Sequence, residues 1–154
     1  MEIIWIWKRF EDISGKEMHE ILFERQKVFV VEQKCVYQDA DELDRHSWHL
    51  IGRDSKGVLA AYARITFPDT RCEEPSFGRI LTVQSFRGTG LGRLIIQNCI
   101  EKCNIEYPDM IIHISAQTYL IKFYNDFGFK SLGQPYDDEG VEHIDMVLTQ
   151  KAKV

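Results

Sequence analysis

A short glycine-rich segment joins a predicted buried strand to a predicted amphipathic helix, and it contains Gly88, Gly90 and Gly92. Glycine lets the backbone adopt positive φ angles and approach a ligand closely. The first amides of a helix have no partner within the helix, and the helix dipole favours an anion beside them. The segment therefore predicts a phosphate-binding loop built from backbone N–H groups, with Arg87 and Arg93 adding positive charge.

Two common phosphate-binding patterns do not fit this loop. The P-loop pattern requires Gly-Lys followed by Ser or Thr, which the chain does not contain. The dinucleotide pattern G-x-G-x-x-G would begin at Gly88 and Gly90, but Arg93 stands where its third glycine belongs. The pattern that remains is R-x-x-G-x-G, at Arg87, Gly90 and Gly92. Taken alone it is equally consistent with a glycine-rich turn that binds nothing.

A second pattern, Phe123-Tyr124-Asn125-Asp126-Phe127-Gly128-Phe129, follows the next predicted strand. The order of strand, R-x-x-G-x-G helix, strand and F-Y-x-x-x-G-F helix resembles the GNAT superfamily of N-acetyltransferases. That resemblance implies an acetyl group moved from acetyl-coenzyme A, as co-substrate, to an amine acceptor. We expect no metal, because the chain lacks the paired ligand spacing of a zinc site.

The resemblance also implies roles for particular residues. The loop amides would hold the coenzyme pyrophosphate, the strand before the loop would pair its backbone with the pantetheine arm and donate to the oxyanion, and Tyr124 would protonate the departing thiolate. Gln117 is expected to orient the coenzyme or a water. The residues expected to contact the coenzyme are Leu81, Thr82, Val83, Arg87, Gly88, Thr89, Gly90, Leu91, Gly92, Arg93, Gln117 and Phe123.

A finer resemblance, to the ElaA-like branch of that superfamily, covers nearly the whole chain. It rests on Arg25, the run at 28–33, Cys35, Tyr37, Asp39, Asp41, Asp44, the pairs at 49–50, 116–117 and 123–124, and the ending at 136–146.

The base that would deprotonate the amine is less clear. The strand at 77–81 carries no carboxylate, so no direct base is evident there. Glu32 is one candidate, although it could be a solvated charge at a helix end. His113 is another, because histidine exchanges protons near neutral pH, but a structural histidine fits the pattern as well. His49 and His143 raise the same two readings, and a base acting through water stays open.

The segment at 32–45 is acidic and lacks a regular period. It could attract a cationic amine, or it could be a solvated loop. Arg25 could lie on a helix face, or it could pair with one of these carboxylates and order the loop.

These residues require a scaffold, and the hydrophobic pattern predicts one. We expect a single α/β domain over 1–154, with a mixed sheet of about six to seven strands and helices on both faces. The predicted strands are 3–10, 48–53, 58–67, 77–83, 110–115, 129–132 and 143–149, and the predicted helices are 15–30, 90–103 and 119–127.

Composition narrows the function classes. A length of 154 residues favours one domain, and a formal charge of −5 argues against non-specific nucleic-acid binding. The four cysteines form no CxxC pair, which favours reduced thiols. No apolar run is long enough to span a membrane, so the cytoplasm is the expected location. A homodimer is left open, as are two other functions: a longer-chain acyltransferase resembling acyl-homoserine-lactone synthases, and a non-catalytic coenzyme-A sensor.

Overall fold

The structure is a computed structural model that describes residues 2–150. Its seven strands are β1 (Ile4–Arg9), β2 (Ser47–Arg53), β3 (Leu59–Thr66), β4 (Ser76–Thr82), β5 (Ile112–Gln117), β6 (Lys130–Asp138) and β7 (Val141–Leu148). The α-helices are α1 (Gly15–Arg25), α2 (Leu91–Glu106) and α3 (Ile121–Asn125). Short 3-10 turns lie at Phe10–Asp12, Glu42–His46, Gln84–Phe86 and Thr118–Leu120.

The strands form two antiparallel sheets, ordered β1-β2-β3-β4 and β5-β7-β6. The sheets meet where β4 and β5 begin, because the His113 N–H donates to the Pro75 carbonyl at 3.1 Å. From that bond the two strands run in the same direction and diverge, which leaves a groove between their carboxyl ends. The predicted α/β fold with about seven strands is confirmed, and the divergence of β4 and β5 divides the sheet in two.

A bulge in β4 accompanies this divergence. Arg64 pairs with Gly78 and Tyr62 with Leu81, so two residues of β4, Arg79 and Ile80, oppose a single residue of β3. A bulge of this kind bends the strand and increases its twist. Arg79 has a φ of +50°, a conformation that costs a side-chain-bearing residue about 1–3 kcal/mol.

Helices cover both faces of the larger sheet, as predicted. On one face, Ile21 of α1 packs with Ile51, Tyr62 and Leu81. On the other face, α2 buries a stripe of apolar side chains at helical spacing against β2, β3 and the second sheet: Leu91, Ile95, Ile96, Cys99 and Cys103. All four cysteines are unpaired, in agreement with the sequence; Cys99 and Cys103 are buried, whereas Cys35 and Cys72 are partly exposed.

Three elements differ in kind or extent from the sequence prediction, and the boundaries of the others agree within three residues. The α-helix predicted over 15–30 ends at Arg25 and continues as a π-helix over Gln26–Glu32. The helix predicted at 119–127 is reduced to α3 and the 3-10 turn before it. The loop predicted between the last two strands is instead a long hairpin, in which β6 runs to Asp138.

The turn of that hairpin explains the third difference. Glu139 and Gly140 have φ angles of +51° and +82°, and positive φ at both central residues is the signature of a type I′ turn, which joins antiparallel strands directly. The acidic, glycine-containing composition of this stretch therefore belongs to a tight turn and a solvated strand.

Among residues 2–150, no helix is long and apolar enough to cross a membrane.

Candidate active site

A cavity of about 510 Å³ lies in the groove between β4 and β5. Gly78, Arg79 and Ile80 line one side of it, and the end of β5, residues 114–117, lines the other. Gly92 of α2 and Tyr124 of α3 also contribute to the wall. The cavity therefore joins the glycine-rich loop, the bulged strand and the F-Y-x-x-x-G-F helix.

The glycine-rich loop presents its backbone to solvent. Gly88 and Gly90 have φ angles of +78° and +81°, and Gly90 is the residue that precedes α2. A Cβ atom built on Gly88, Gly90 or Gly92 would meet no atom within 4 Å. The Arg87 N–H is already bonded to the Gln84 carbonyl at 3.2 Å, so the amides open to a ligand begin at Gly88. The first amides of α2 have no helical partner, as at every helix start.

Arg87 is held by Glu32. Its guanidinium donates to both Glu32 carboxylate oxygens, at 2.7 and 3.0 Å, and its Nε donates to the Thr82 carbonyl at 3.3 Å. The hydrogen bonds from Arg87 lower the pKa of Glu32, which makes that carboxylate a weaker base. The pair thus fixes the start of the loop against the end of the π-helix.

Arg93 bridges α2 and α3. Its guanidinium lies 3.0 Å from an oxygen of Asp126 and stacks over the rings of Phe123 and Phe127, at 5.5 and 5.4 Å from their centroids. Its positive charge lies one residue beyond Gly92, so it is positioned at the loop while it secures α3.

Tyr124 reaches the cavity from α3 and is 7% exposed. Phe123 and Phe129 pack edge-on against its ring, at 5.3 and 5.8 Å between centroids. Burial, with smaller contributions from Cys99 and Tyr119, raises the pKa of Tyr124, so the phenol keeps its proton at neutral pH. Gln117 and Phe123 line the same cavity.

His113 is held between two carboxylates. Its Nδ1 lies 3.0 Å from Glu74 and its Nε2 lies 3.1 Å from Asp145, so both ring nitrogens are occupied. Within the described part of the chain, the cavity wall includes neither His113 nor Glu32.

Three side chains that could bind a metal, one of them His113, come together from two segments of the chain. Ligand atoms of Cys72, Glu74 and His113 all lie within 4.8 Å of one another. The Arg71 guanidinium lies 3.9 Å from the Cys72 sulfur, and a fixed positive charge at that distance disfavours a metal cation. The sequence spacing did not reveal this cluster because Cys72 and Glu74 are distant from His113 along the chain.

The acidic segment forms a buried ion-pair network. Arg25 is fully buried and binds Asp39 at 2.9 Å and Asp44 at 2.7 Å, which confirms the interpretation that Arg25 pairs with this segment and orders it. Arg64 binds Asp41 at 2.6 Å and Asp44 at 2.8 Å. Because three arginines, the third being Arg79, neutralise Asp39, Asp41 and Asp44, these three acids do not form the open negative surface that would attract a cationic substrate.

The network also supports the bulge in β4. Arg79 Nε lies 2.8 Å from an Asp39 oxygen, its Nη2 donates to the Asp39 carbonyl at 3.1 Å, and its guanidinium lies 5.4 Å from the centre of the Tyr37 ring. These contacts offset the strain of a positive φ at Arg79.

Two hydrogen bonds make His49 structural. Its Nδ1 lies 2.7 Å from the Tyr62 hydroxyl and its Nε2 lies 2.8 Å from the Asp44 carbonyl. Burial lowers the pKa of His49, so the ring stays neutral within the core.

Of the polar side chains on β5 and β7 that line the cavity, sequence reasoning identified Gln117 and His143 and missed Ser115. Ser115 and Gln117 alternate with buried Ile114 and Ala116 along β5, and His143 lies directly opposite Gln117 on β7. A period-2 alternation of polar and apolar residues was visible in both strands and could have indicated a polar face.

Comparison with known proteins agrees with this geometry. The GNAT acetyltransferase domain profile matches residues 11–150. The UPF0039 protein sll0451 of Synechocystis is 58% identical over 148 residues, which are 96% of each chain. The crystal structure of Escherichia coli ElaA superposes with a TM-score of 0.87 at 33% identity, over 95% of this chain and 99% of that one. An acyl-CoA N-acyltransferase from Pseudomonas aeruginosa gives a TM-score of 0.90 at 32% identity, with the same coverage.

The matched region spans the glycine-rich loop, the cavity and Tyr124, and the ElaA protein of Escherichia coli is 34% identical over 146 residues. The chain therefore belongs to the GNAT acetyltransferase domain family, in its ElaA-like branch.

Proposed function

We propose that this protein transfers an acetyl group from acetyl-coenzyme A to an amine acceptor, by direct transfer in a ternary complex. One observation carries the proposal: open backbone amides at the start of α2 adjoin a cavity that contains a buried phenol. The amides suit a diphosphate and the phenol suits a leaving thiolate, so a thioester bound to the loop would reach the phenol.

The coenzyme would follow the diverging edge of β4. The pyrophosphate would accept hydrogen bonds from the amides of Gly88, Thr89, Gly90, Leu91 and Gly92, with Arg87 and Arg93 adding positive charge. The pantetheine arm would pair with the backbone of Leu81, Thr82 and Val83, an edge that β5 does not cover because the strands part. Gln117 and Phe123 would contact the thioester end of the coenzyme.

The reaction would proceed at the inner end of this groove. The amine nitrogen attacks the thioester carbon, a C–N bond forms, and backbone N–H groups of β4 stabilise the oxyanion. The C–S bond then breaks and the sulfur takes a proton from Tyr124. A raised pKa keeps Tyr124 protonated until charge develops on the sulfur.

Neither Glu32 nor His113 is suited to act as the direct base. Glu32 is bound through both of its oxygens to Arg87, and both nitrogens of His113 face carboxylates. We propose instead that Glu32 positions Arg87 beside the loop.

The carboxylates available to a cationic acceptor lie at the hairpin turn. Asp138 and Glu139 line the cavity and make no ion pair within residues 2–150. An acceptor amine would meet them as it enters.

The four unpaired cysteines suit a reducing compartment, and we therefore propose the cytoplasm as the location.

The direct test combines an amine panel with mass spectrometry of the products and a thiol-release assay. We expect at least one amine to gain an acetyl group with stoichiometric release of coenzyme A. Faster transfer from a hexanoyl than from an acetyl thioester would favour the longer-chain acyltransferase. Tight coenzyme binding with no amine-dependent thiol release would identify a sensor and contradict the proposal.

A further inference from the structure

One imidazole lines the cavity. Of the five histidines, all of which lie within the described residues, only His143 is part of its wall. His49 and His113 have both ring nitrogens engaged, and His19 lines a separate open groove along α1.

The hydrogen bonding of His143 fixes its tautomer. Its Nδ1 lies 2.8 Å from the Val141 carbonyl, and a carbonyl oxygen only accepts, so Nδ1 carries the hydrogen. In the neutral ring, Nε2 then holds a lone pair. Nε2 has no hydrogen-bond partner among residues 2–150.

The ring is also held in place. His143 pairs in register with Gln117 on β5 and with Tyr136 on β6, and its ring stacks on that of Tyr136 with 6.3 Å between centroids and 22° between planes. The Tyr136 hydroxyl is anchored in turn, because it donates to Asp145 at 2.6 Å and contacts Ser115. A base must be held in a fixed orientation to be effective, and these contacts provide it.

The carboxylates of the cavity wall are weaker candidates. Burial acts to raise the pKa of Asp41, but the hydrogen bonds and charges of Arg64 and Arg79 outweigh it and lower that pKa. Asp138 and Glu139 lie in the solvent-exposed hairpin. They can attract an amine there, but they are not enclosed in the part of the cavity where the amine and the thioester would react.

We infer that His143 is the general base of the reaction, an inference that rests on the proposed acetyl transfer. As the amine nitrogen bonds to the thioester carbon, its proton passes to His143 Nε2. The C–S bond breaks and the Tyr124 proton passes to sulfur. The imidazolium then returns a proton to the Tyr124 phenolate through solvent, so a neutral amine and the thioester yield the amide and the free thiol.

Charged and titratable groups from several elements lie near His143. They are Tyr136 and Asp138 on β6 and Asp145 on β7, with Arg71 and Glu139 on the same cavity wall; His113 of β5 contacts Asp145. None of these donates to Nε2, so its lone pair is open to substrate.

The decisive experiment compares His143→Gln with His19→Gln, an exposed control on α1. We expect His143→Gln to lower kcat/KM by about 100-fold or more, to abolish the acidic limb of the pH–rate profile, and to leave coenzyme affinity unchanged. Added imidazole should restore part of the rate, an outcome that a merely structural role for His143 would not give. His19→Gln should match the wild type in all of these measurements.

A second measurement does not depend on the variant folding. Diethyl pyrocarbonate acylates unprotonated imidazole nitrogens, so peptide mapping of the wild type should show modified His143 and unmodified His49 and His113. An active His143→Gln enzyme with the acidic limb intact, or an unreactive His143, would overturn the inference while leaving acetyl transfer in place. A wild-type protein that acetylates no amine would overturn both.

Discussion

Tyr124 and His143 face one cavity from different elements, Tyr124 from α3 and His143 from β7. Burial holds the proton on Tyr124, and the bond from Nδ1 to Val141 leaves a lone pair on His143 Nε2. A donor and an acceptor of protons therefore meet at the site where an amine and a thioester would react.

Replacing Tyr124 by Phe tests its role as the acid. We expect kcat to fall by about 100-fold, with coenzyme affinity within about twofold, because the ring and its packing stay while the donor is lost. Stopped-flow thiol release and calorimetry measure the two quantities. An unaltered rate, under conditions where chemistry limits turnover, would remove Tyr124 from the mechanism.

At the scale of single residues, the sequence singled out the groups that belong to a contiguous motif, and it left the role of groups that depend on folding open. Gly90 and Tyr124 stand in recognisable patterns along the chain. His143 does not, because its importance comes from the pairing of β5 with β7 and from the tautomer that Val141 selects. Glu32 looked available in sequence, and only the fold shows Arg87 bound to it.

Among the elements, β4 is the one whose local conformation determines the site. Its bulge lies where β4 diverges from β5 along the groove, and the acidic segment holds the bulge through Arg79. Sequence reasoning placed β4 within one residue of its observed ends, but it could not predict the bulge, because an arginine with positive φ contradicts the ordinary preference of that residue.

A pair of substitutions at Arg79 tests the strain in β4. Both Arg79→Gly and Arg79→Ala remove the ion pairs, but glycine adopts a φ of +50° without the steric cost that alanine suffers. We expect the glycine variant to be more stable than the alanine variant by about 1 kcal/mol in urea unfolding. The same pair at Ser131 on β6, where φ is not positive, should show the reverse order. If the Arg79→Ala variant were as stable as the Arg79→Gly variant, or more stable, the backbone at residue 79 would not be strained.

Helix α2 supplies the amides, and Gly92 in its first turn tests how closely a ligand approaches. Its φ is not in the left-handed region and a Cβ there meets nothing, so Gly92→Ala should be neutral or slightly stabilising. We expect it nonetheless to weaken coenzyme binding by about tenfold, since a methyl group would occupy space that the diphosphate needs.

Gly15→Ala, at the first position of α1, is the matched control for Gly92→Ala, because a Cβ there is also free of contacts. It should change stability in a similar way and leave coenzyme affinity unaltered. Equal affinities in both variants would show that no ligand lies against Gly92.

For the whole molecule, the buried network links stability to pH. The folded-state pKa of His49 is lowered by burial, and that of Asp44 is lowered because hydrogen bonds from Arg25 and Arg64 outweigh burial. A lowered pKa in the folded state means that the unfolded chain binds more protons, so stability is lost as pH falls. We expect the urea concentration at the unfolding midpoint to decrease as the pH falls below 6.5, the ordinary pKa of histidine. The decrease should be steeper below pH 3.8, the ordinary pKa of aspartate.

A His49→Gln variant identifies the first part of that decline. It should be less stable than the wild type at pH 8, because it loses bonds to Tyr62 and Asp44, but its stability should vary less between pH 8 and 5. A wild-type curve that is flat down to pH 5, or a variant curve parallel to it, would show that His49 is not held neutral.

The proposed function depends on backbone amides at the start of α2 that bind the coenzyme diphosphate, and calorimetric titration with coenzyme A measures that binding. Gly90→Asp places a carboxylate at the loop, and Gly133→Asp adds the same charge on β6, at a glycine outside the cavity wall whose φ is also positive, at +76°, and whose Cβ position is also open. We expect coenzyme affinity to fall by about tenfold or more in Gly90→Asp alone. Equal coenzyme affinity in the wild type and both variants would contradict it.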